Sequence, residues 1–122
     1  MRAINPRRLS LLLAVTCLLT ACDDTPKHPP ERATAANAMP GDAALAQVYD
    51  TSCKLCHANP ASGAPLAGDA KAWAPRLAQG ADTLLDHSIN GYQGMPPMGQ
   101  CMQCSEEQFL ALISFMSGHS FQ

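Results

Sequence analysis

The stretch Cys53-Lys54-Leu55-Cys56-His57 has the pattern C-x-x-C-H, and the interpretation of the whole chain starts from it. Two thiols at this spacing can each form a thioether with one vinyl group of a haem, which places the adjacent histidine beside the iron. The pattern therefore predicts one covalently attached haem c, bound through Cys53 and Cys56, with His57 as a ligand of the iron.

Two other chemistries use paired cysteines and stay open at this point. A thioredoxin-like redox pair needs a βαβ context, which the surrounding sequence does not indicate. A zinc site with two C-x₂-C pairs normally has about 15–20 residues between them. Here 44 residues separate Cys56 from the second pair, which begins at Cys101. We favour haem and keep a zinc or thiol–disulfide protein as the alternative.

The sequence around the motif favours helices. Residues 41–122 contain only five β-branched residues and are rich in Ala and Leu, a composition typical of helices rather than strands. Asp42 is suited to the N-cap of a helix over about 42–52, directly before the motif. A second helix is predicted over about 82–89 from its i,i+4 pairs.

The third predicted helix has the clearest pattern. Ser105 and Gln108 have the spacing of a capping box, which marks the start of a helix. Gly118 is suited to end it. The apolar residues between them recur at i, i+3, i+4 and i+7, which predicts one buried face made of Phe109, Leu112, Ile113 and Met116.

Segments 58–80 and 91–104 are punctuated by Gly and Pro and are predicted as long loops. Such loops are uncommon in a domain of this size unless they wrap a bound group. The chain has only six aromatic residues, so a haem would add apolar bulk to a small core. We predict an all-α fold with three to four short helices and long loops wrapped around one covalent haem.

Residues 1–40 are predicted to export and tether the protein. A basic stretch at 1–8 precedes an apolar run at 9–19, which is too short for a membrane span of about twenty residues. Leu19-Thr20-Ala21-Cys22 resembles a bacterial lipobox, in which Cys22 receives lipid; a plain signal peptide is the alternative. Asp23 resembles an inner-membrane retention signal. The predicted division is a lipoprotein-type signal peptide at 1–21, a lipid-anchored flexible tether at 22–40 and a periplasmic domain at 41–122.

The charge of the chain argues against a nucleic-acid partner. The formal net charge is −2 and the pI is about 6.0. The domain at 41–122 holds three basic and seven acidic residues, a formal charge of −4. Proteins that bind nucleic acids need a basic surface, and this composition does not supply one.

The segment 91–104, Gly-Tyr-Gln-Gly-Met-Pro-Pro-Met-Gly-Gln-Cys-Met-Gln-Cys, joins a Met-Pro-Pro sequence to a second Cys-x-x-Cys pair. Together with the run Gly68-Asp69-Ala70-Lys71-Ala72-Trp73-Ala74-Pro75-Arg76, it resembles the cytochrome c5 family of class I cytochromes c, over essentially all of 41–122. The resemblance implies that Met95 is the second iron ligand. Met98 is a second candidate, since relatives usually carry a basic or polar residue there.

The resemblance also implies that the second cysteine pair, Cys101 and Cys104, forms a short disulfide; a dithiol switch is the alternative. Pro65 aligns with the proline whose carbonyl accepts the ring N–H of the haem-ligating histidine, although an ordinary turn proline would look the same. Trp73 and Arg76 carry N–H groups that could reach the haem propionates, with packing against the haem favoured for Trp73.

His87 is predicted to lie on the surface of its helix, although a histidine can in principle replace methionine as a ligand. Tyr92 is assigned to packing near the ligand loop. Histidine and methionine together would leave the iron no open position, and methionine raises its reduction potential.

We therefore predict an electron carrier rather than an enzyme. It would pass one electron at a time between respiratory partners, for instance from a quinol-oxidising complex to a terminal oxidase or reductase. A haem sensor or ligand-binding enzyme with a labile methionine is the alternative within haem chemistry.

Overall fold

The computed structural model describes residues 37–121. The predicted signal peptide, the lipidation site at Cys22 and all but the last four residues of the 22–40 tether lie outside the described residues. No helix within 37–121 is long and apolar enough to cross a membrane.

The described chain is helical, which confirms the predicted all-α class. Its only β-type pairing is one isolated bridge between Tyr92 and Met95. Two short 3-10 helices, at Pro60–Ser62 and Pro97–Gln100, lie in the connections between α-helices. The five α-helices of this part of the chain are α1 (Ala43–Thr51), α2 (Lys54–His57), α3 (Ala70–Leu77), α4 (Ala81–Asn90) and α5 (Glu106–Ser117).

Helix α1 begins and ends where the sequence predicts. The carboxylate of Asp42 accepts a hydrogen bond from the Leu45 amide at 2.8 Å and caps the first turn. The backbone breaks at Ser52, and the single turn of α2 follows at once. The C-x-x-C-H motif therefore lies on a separate short turn at the end of α1.

Helix α5 follows its sequence pattern closely. The capping box is complete, because Ser105 accepts from the Gln108 amide and the Gln108 side chain accepts from the Ser105 amide. Gly118 ends the helix with a φ of 68°, in the left-handed region that glycine adopts at little cost. All four residues of the predicted apolar face are buried: Phe109, Leu112, Ile113 and Met116.

The prediction of a continuous loop over 58–80 is wrong, since this segment contains α3. Asp69 caps α3 by accepting a hydrogen bond from the Ala72 amide at 2.9 Å. The helix tolerates Pro75 in its interior, where proline normally interrupts the hydrogen-bond ladder. Burial of Trp73 anchors the helix to the core and outweighs this local cost.

The core consists of two groups of buried side chains. The larger group joins α1, α3, α4 and α5, and Tyr49 of α1 meets Phe115 of α5 edge to face, with ring centroids 4.9 Å apart. The smaller group surrounds the disulfide Cys101–Cys104 and includes Phe109. The disulfide pairing is the one that the family resemblance implies. It joins the segment after α4 to the start of α5.

Candidate functional site

A cavity of about 230 Å³ lies where α2, α3, α4, the 91–100 loop and α5 meet. Its walls include apolar side chains from three different elements, among them Pro65, Leu84 and Ile113. The two motif cysteines, His57 and Met95 line the same cavity. Residues that are far apart in the sequence therefore come together around one space.

The cysteines reach the cavity from the single turn of α2. Both thiols are free; Cys53 is buried and Cys56 is exposed. Burial raises the pKa of the Cys53 thiol, so the protonated form is favoured, and the Ser52 hydroxyl lies 3.7 Å from its sulfur. The His57 amide donates to the Cys53 carbonyl at 2.9 Å, which holds the turn together.

The His57 ring is held in one orientation and one tautomer. Its Nδ1 lies 2.7 Å from the Pro65 carbonyl oxygen, and because a carbonyl only accepts, Nδ1 carries the proton. Burial lowers the pKa of His57, which favours the neutral ring. A neutral histidine protonated on Nδ1 keeps the lone pair of Nε2 available for a metal.

Trp73 packs beside His57 but does not offer its N–H to the cavity. The two rings are stacked, with centroids 5.8 Å apart and an angle of 24° between the planes. The indole Nε1 donates to the Leu66 carbonyl at 2.8 Å. Because that donor is already used, the geometry supports the packing role favoured from the sequence over donation to a haem propionate. Trp73 contributes a wall of the cavity instead.

Arg76 brings a positive charge to the cavity. It is half-buried, and one of its terminal nitrogens donates to the Ala72 carbonyl at 2.7 Å. A guanidinium has five N–H donors, so the others stay available to an anion. Among the described residues that line the cavity, Arg76 is the one Lys or Arg. Its charge also contributes to lowering the pKa of His57.

The two candidate methionines occupy different environments. Met95 lines the cavity, and its backbone N–H and C=O are both hydrogen-bonded to Tyr92, at 2.9 and 3.0 Å. Met98 packs against the smaller core group around Cys101 and Cys104 and is not among the residues that line the cavity.

The Met95 side chain lies directly against the backbone of Gly99. A Cβ added at Gly99 would lie 2.9 Å from the terminal methyl carbon of Met95, closer than real side-chain contacts come. The φ of Gly99 is also 52°, a conformation that other residues adopt only with strain. A side chain at position 99 would therefore displace the thioether of Met95.

His87 lines the cavity, although this was not expected from its sequence context. His87 was predicted on the helix surface, but it is half-buried and lines the cavity together with Ser88 and Tyr92. The helical spacing did contain this information. His87 and Ser88 lie three and four positions after the buried Leu84, so they belong to the same buried face of α4. Ring stacking between His87 and Tyr92 had no sequence signature.

The residues of this cavity fit a covalent haem. Two free thiols, a neutral imidazole with an available nitrogen and a thioether face one largely apolar space, as the attachment and ligation of haem c require. The paired zinc alternative loses two of its ligands, because Cys101 and Cys104 are joined to each other. The thioredoxin-like alternative needs a sheet, and residues 37–121 form none.

Comparisons with known proteins agree with this chemistry. The family model described as cytochrome C oxidase, cbb3-type, subunit III matches residues 38–116. Cytochrome c-555 of Chlorobaculum tepidum is 43% identical over 89 residues, which cover 69% of this chain and 82% of the relative. Cytochrome c5 of Azotobacter vinelandii is 41% identical over 68 residues, which cover 54% of this chain and 82% of the relative.

A solved structure, of an electron transfer complex of nitrite reductase with cytochrome c, contains a similar chain. The match has a TM-score of 0.55 and 40% identity, and it covers 63% of this chain and 94% of that chain.

We predict that Gly99→Ala moves the end of the Met95 side chain, while the left-handed backbone at position 99 accounts for most of its loss of stability. Gly118→Ala is the matched control, since Gly118 has a φ of 68° and no atom within 4 Å of an added Cβ. Left-handed backbone should cost each variant about 1 kcal/mol of unfolding free energy. Contact with Met95 should add little to this cost, because the added Cβ meets only the terminal methyl of a flexible side chain that can turn aside.

Denaturant unfolding measures both free energies, and the methyl NMR resonance of Met95 reports its position. A Met95 resonance that stays unmoved in Gly99→Ala would contradict the contact between Met95 and Gly99.

Proposed function

The chain belongs to the cytochrome c5 family of class I c-type cytochromes, and we propose that it carries electrons between respiratory complexes with His57 and Met95 as its two iron ligands. Family membership confirms the resemblance found in the sequence and implies covalently bound haem c, for which Cys53 and Cys56 provide the attachment motif. The observation that carries the proposal is that both cysteines, His57 and Met95 line one cavity.

Haem c, when bound, supplies one-electron chemistry between ferric and ferrous iron. His57 would present Nε2 to the metal, since its other nitrogen donates to the Pro65 carbonyl. That hydrogen bond also increases the basicity of the ring and prevents it from rotating. Pro65 is thus assigned as the partner that orients the proximal ligand.

The structure supports Met95 over Met98 as the second ligand. The side chain of Met95 borders the cavity, and its backbone is fixed to Tyr92 on one side. On the other side Pro96 and Pro97 restrict the chain, because proline locks its own φ and limits the residue before it. Met98 packs instead against the core group around the disulfide.

An iron with two protein ligands has no open position for a substrate, so we propose a carrier rather than an enzyme. The sensor alternative needs a methionine that leaves the iron readily. The Met95 loop is restrained by the Tyr92 hydrogen bonds, by two prolines and by the Cys101–Cys104 disulfide, and these restraints oppose such lability.

Arg76 is assigned to the negative propionates of the haem and to the potential of the iron. Its remaining N–H groups suit carboxylate recognition. A positive charge near the iron disfavours the ferric state, which carries one more positive charge than the ferrous state. Arg76 should therefore raise the reduction potential.

For the partners, we propose redox proteins of the respiratory chain in the bacterial periplasm, such as a quinol-oxidising complex as donor and a terminal oxidase or reductase as acceptor. The matched cytochrome in complex with nitrite reductase and the match to an oxidase subunit family support partners of this kind. The lipobox-like sequence supports anchoring through Cys22, with Asp23 favouring the inner membrane.

We predict that Met95→Ala abolishes the weak far-red absorption band that methionine–iron ligation gives in the ferric protein. The reduction potential should also fall, on the order of 0.1 V, because the axial ligand is a main determinant of haem potential. The matched control Met98→Ala should keep the band and lose about 1–2 kcal/mol of stability from its packing. A far-red band that survives in Met95→Ala but disappears in Met98→Ala would reverse the assignment.

We predict that Arg76→Gln lowers the reduction potential by ~1 kcal/mol, or about 40 mV, because a partly screened positive charge leaves the haem pocket. Lys71→Gln is the control: it removes the same charge from an exposed position on α3 that does not line the cavity. Its effect should be less than half as large. Equal shifts in redox titrations of the two variants would show that Arg76 acts only through the net charge of the protein.

We predict that Cys22→Ala releases the full-length protein from bacterial membranes in fractionation experiments. Quinol-driven reduction in the same membranes should slow by about tenfold or more, since tethering raises the effective concentration at the partner. Unchanged membrane association would refute lipidation at Cys22. Release without slower reduction would refute a membrane-bound quinol-oxidising donor that depends on the tether.

A further inference from the structure

The loop that carries Met95 is stacked onto helix α4 through two aromatic rings. The imidazole of His87 lies flat on the ring of Tyr92, with centroids 3.8 Å apart and an angle of 8° between the planes. His87 is half-buried on α4, whereas 43% of Tyr92 is exposed. The stack is therefore the side-chain contact through which α4 holds this residue of the loop.

Tyr92 is connected in turn to Met95. The Tyr92 amide donates to the Met95 carbonyl at 3.0 Å, and the Met95 amide donates to the Tyr92 carbonyl at 2.9 Å. These two bonds close a tight turn in which Gln93 has a φ of 54°. Because Tyr92 and Met95 share both hydrogen bonds, a movement of one backbone requires a movement of the other.

The same turn is packed against its own continuation. A Cβ at Gly91 would lie 2.9 Å from the Pro97 nitrogen and 3.0 Å from the Met95 carbonyl oxygen. Gly91 is also the residue that ends α4. The segment 91–97 therefore folds back on itself directly after the helix, and the ring contact between His87 and Tyr92 fixes it there.

We propose that His87 is a positioning residue that holds Met95 in place: its ring, stacked on Tyr92, keeps the ligand loop on α4 and so sets how often the thioether leaves the iron. This inference rests on the proposed function, since it needs Met95 as a ligand. The far end of the loop is held covalently by the Cys101–Cys104 disulfide. The His87 stack holds the near end without a covalent bond.

The affinity of the ferric holoprotein for imidazole measures this opening, because imidazole occupies the iron only when methionine has left. The apparent affinity rises with the fraction of open loop. An aromatic stack of this kind corresponds to roughly a 3- to 10-fold change in that fraction. His87→Ala should therefore bind imidazole about 3- to 10-fold more tightly than the wild type does.

Three variants separate stacking from other effects. His87→Phe retains a flat ring and should behave like the wild type. Asn90→Ala is the matched control on α4, since its side chain bonds to Asp86 and the change leaves the net charge unaltered. His87→Gln removes the ring but keeps a polar side chain. It replaces His87→Ala in the test if thermal unfolding shows that the alanine variant is not folded.

A second background tests whether the effect passes through Met95. With Met95→Ala already present, there is no methionine to displace, so His87→Ala should leave imidazole affinity unchanged. The same tightening in that background would mean that the smaller side chain only widens the cavity, and it would overturn the proposal. Imidazole affinity that is unchanged in both His87→Ala and His87→Gln would overturn it as well. So would a His87→Phe variant that binds imidazole as tightly as His87→Ala does.

The single variant Met95→Ala distinguishes a failure of the His87 proposal from a failure of the proposed ligation by Met95. A large gain in imidazole affinity in Met95→Ala establishes Met95 as the displaceable ligand, whatever the His87 variants show. No gain there would refute the proposed ligation itself.

Discussion

The hydrogen bond between His57 Nδ1 and the Pro65 carbonyl joins the cysteine motif to the segment that supports it. The neighbouring carbonyl, of Leu66, accepts from the indole of Trp73, which stacks on the same imidazole. The next residue, Ala67, returns a hydrogen bond from its amide to the His57 carbonyl at 2.8 Å. The consecutive residues 65–67 thus fix the imidazole of His57, the indole of Trp73 that packs on it and the backbone of His57.

This segment is itself attached to the last helix. The amide of Gly68 donates to the Met116 carbonyl at 2.7 Å, near the end of α5, and Met116 also lines the cavity. The histidine side of the site is consequently built from hydrogen bonds within the backbone framework. The methionine side depends instead on a tight turn, a ring stack and a disulfide. Under the proposed ligation by His57 and Met95, this difference means that Met95 would be the first ligand to leave the iron.

Sequence reasoning was most successful where a residue acts through its immediate neighbours. Asp42, Ser105 and Gly118 define helix ends by local hydrogen bonds and backbone conformation, so their patterns are readable without the fold. Helix α3 was missed because Pro75 argues against a helix locally, and only burial of Trp73 in the assembled core outweighs that cost.

The site divides in the same way between local and long-range contacts. Haem attachment and ligation by the motif cysteines and His57 were predicted from their spacing, whereas the family resemblance selected Met95 over Met98 and indicated Pro65. The partner of the Trp73 indole and the stack between His87 and Tyr92 depend on contacts between separate elements. No pattern in the chain specifies such contacts, since they arise only after the helices pack.

The distribution of charge bears on how an acidic carrier meets its partners. Of the three cations in 41–122, Lys54 is paired with Asp50 at 2.7 Å and Arg76 faces the cavity, which leaves Lys71 exposed on α3. The surface therefore offers little positive charge for steering toward an acidic partner. Charges farther apart than about 8–10 Å are largely screened at physiological salt, which weakens long-range steering of either sign. A tether at the membrane would make such steering less necessary, because it keeps the domain near membrane-bound partners regardless of salt. An acidic surface is thus consistent with the proposed lipid anchor of this electron carrier.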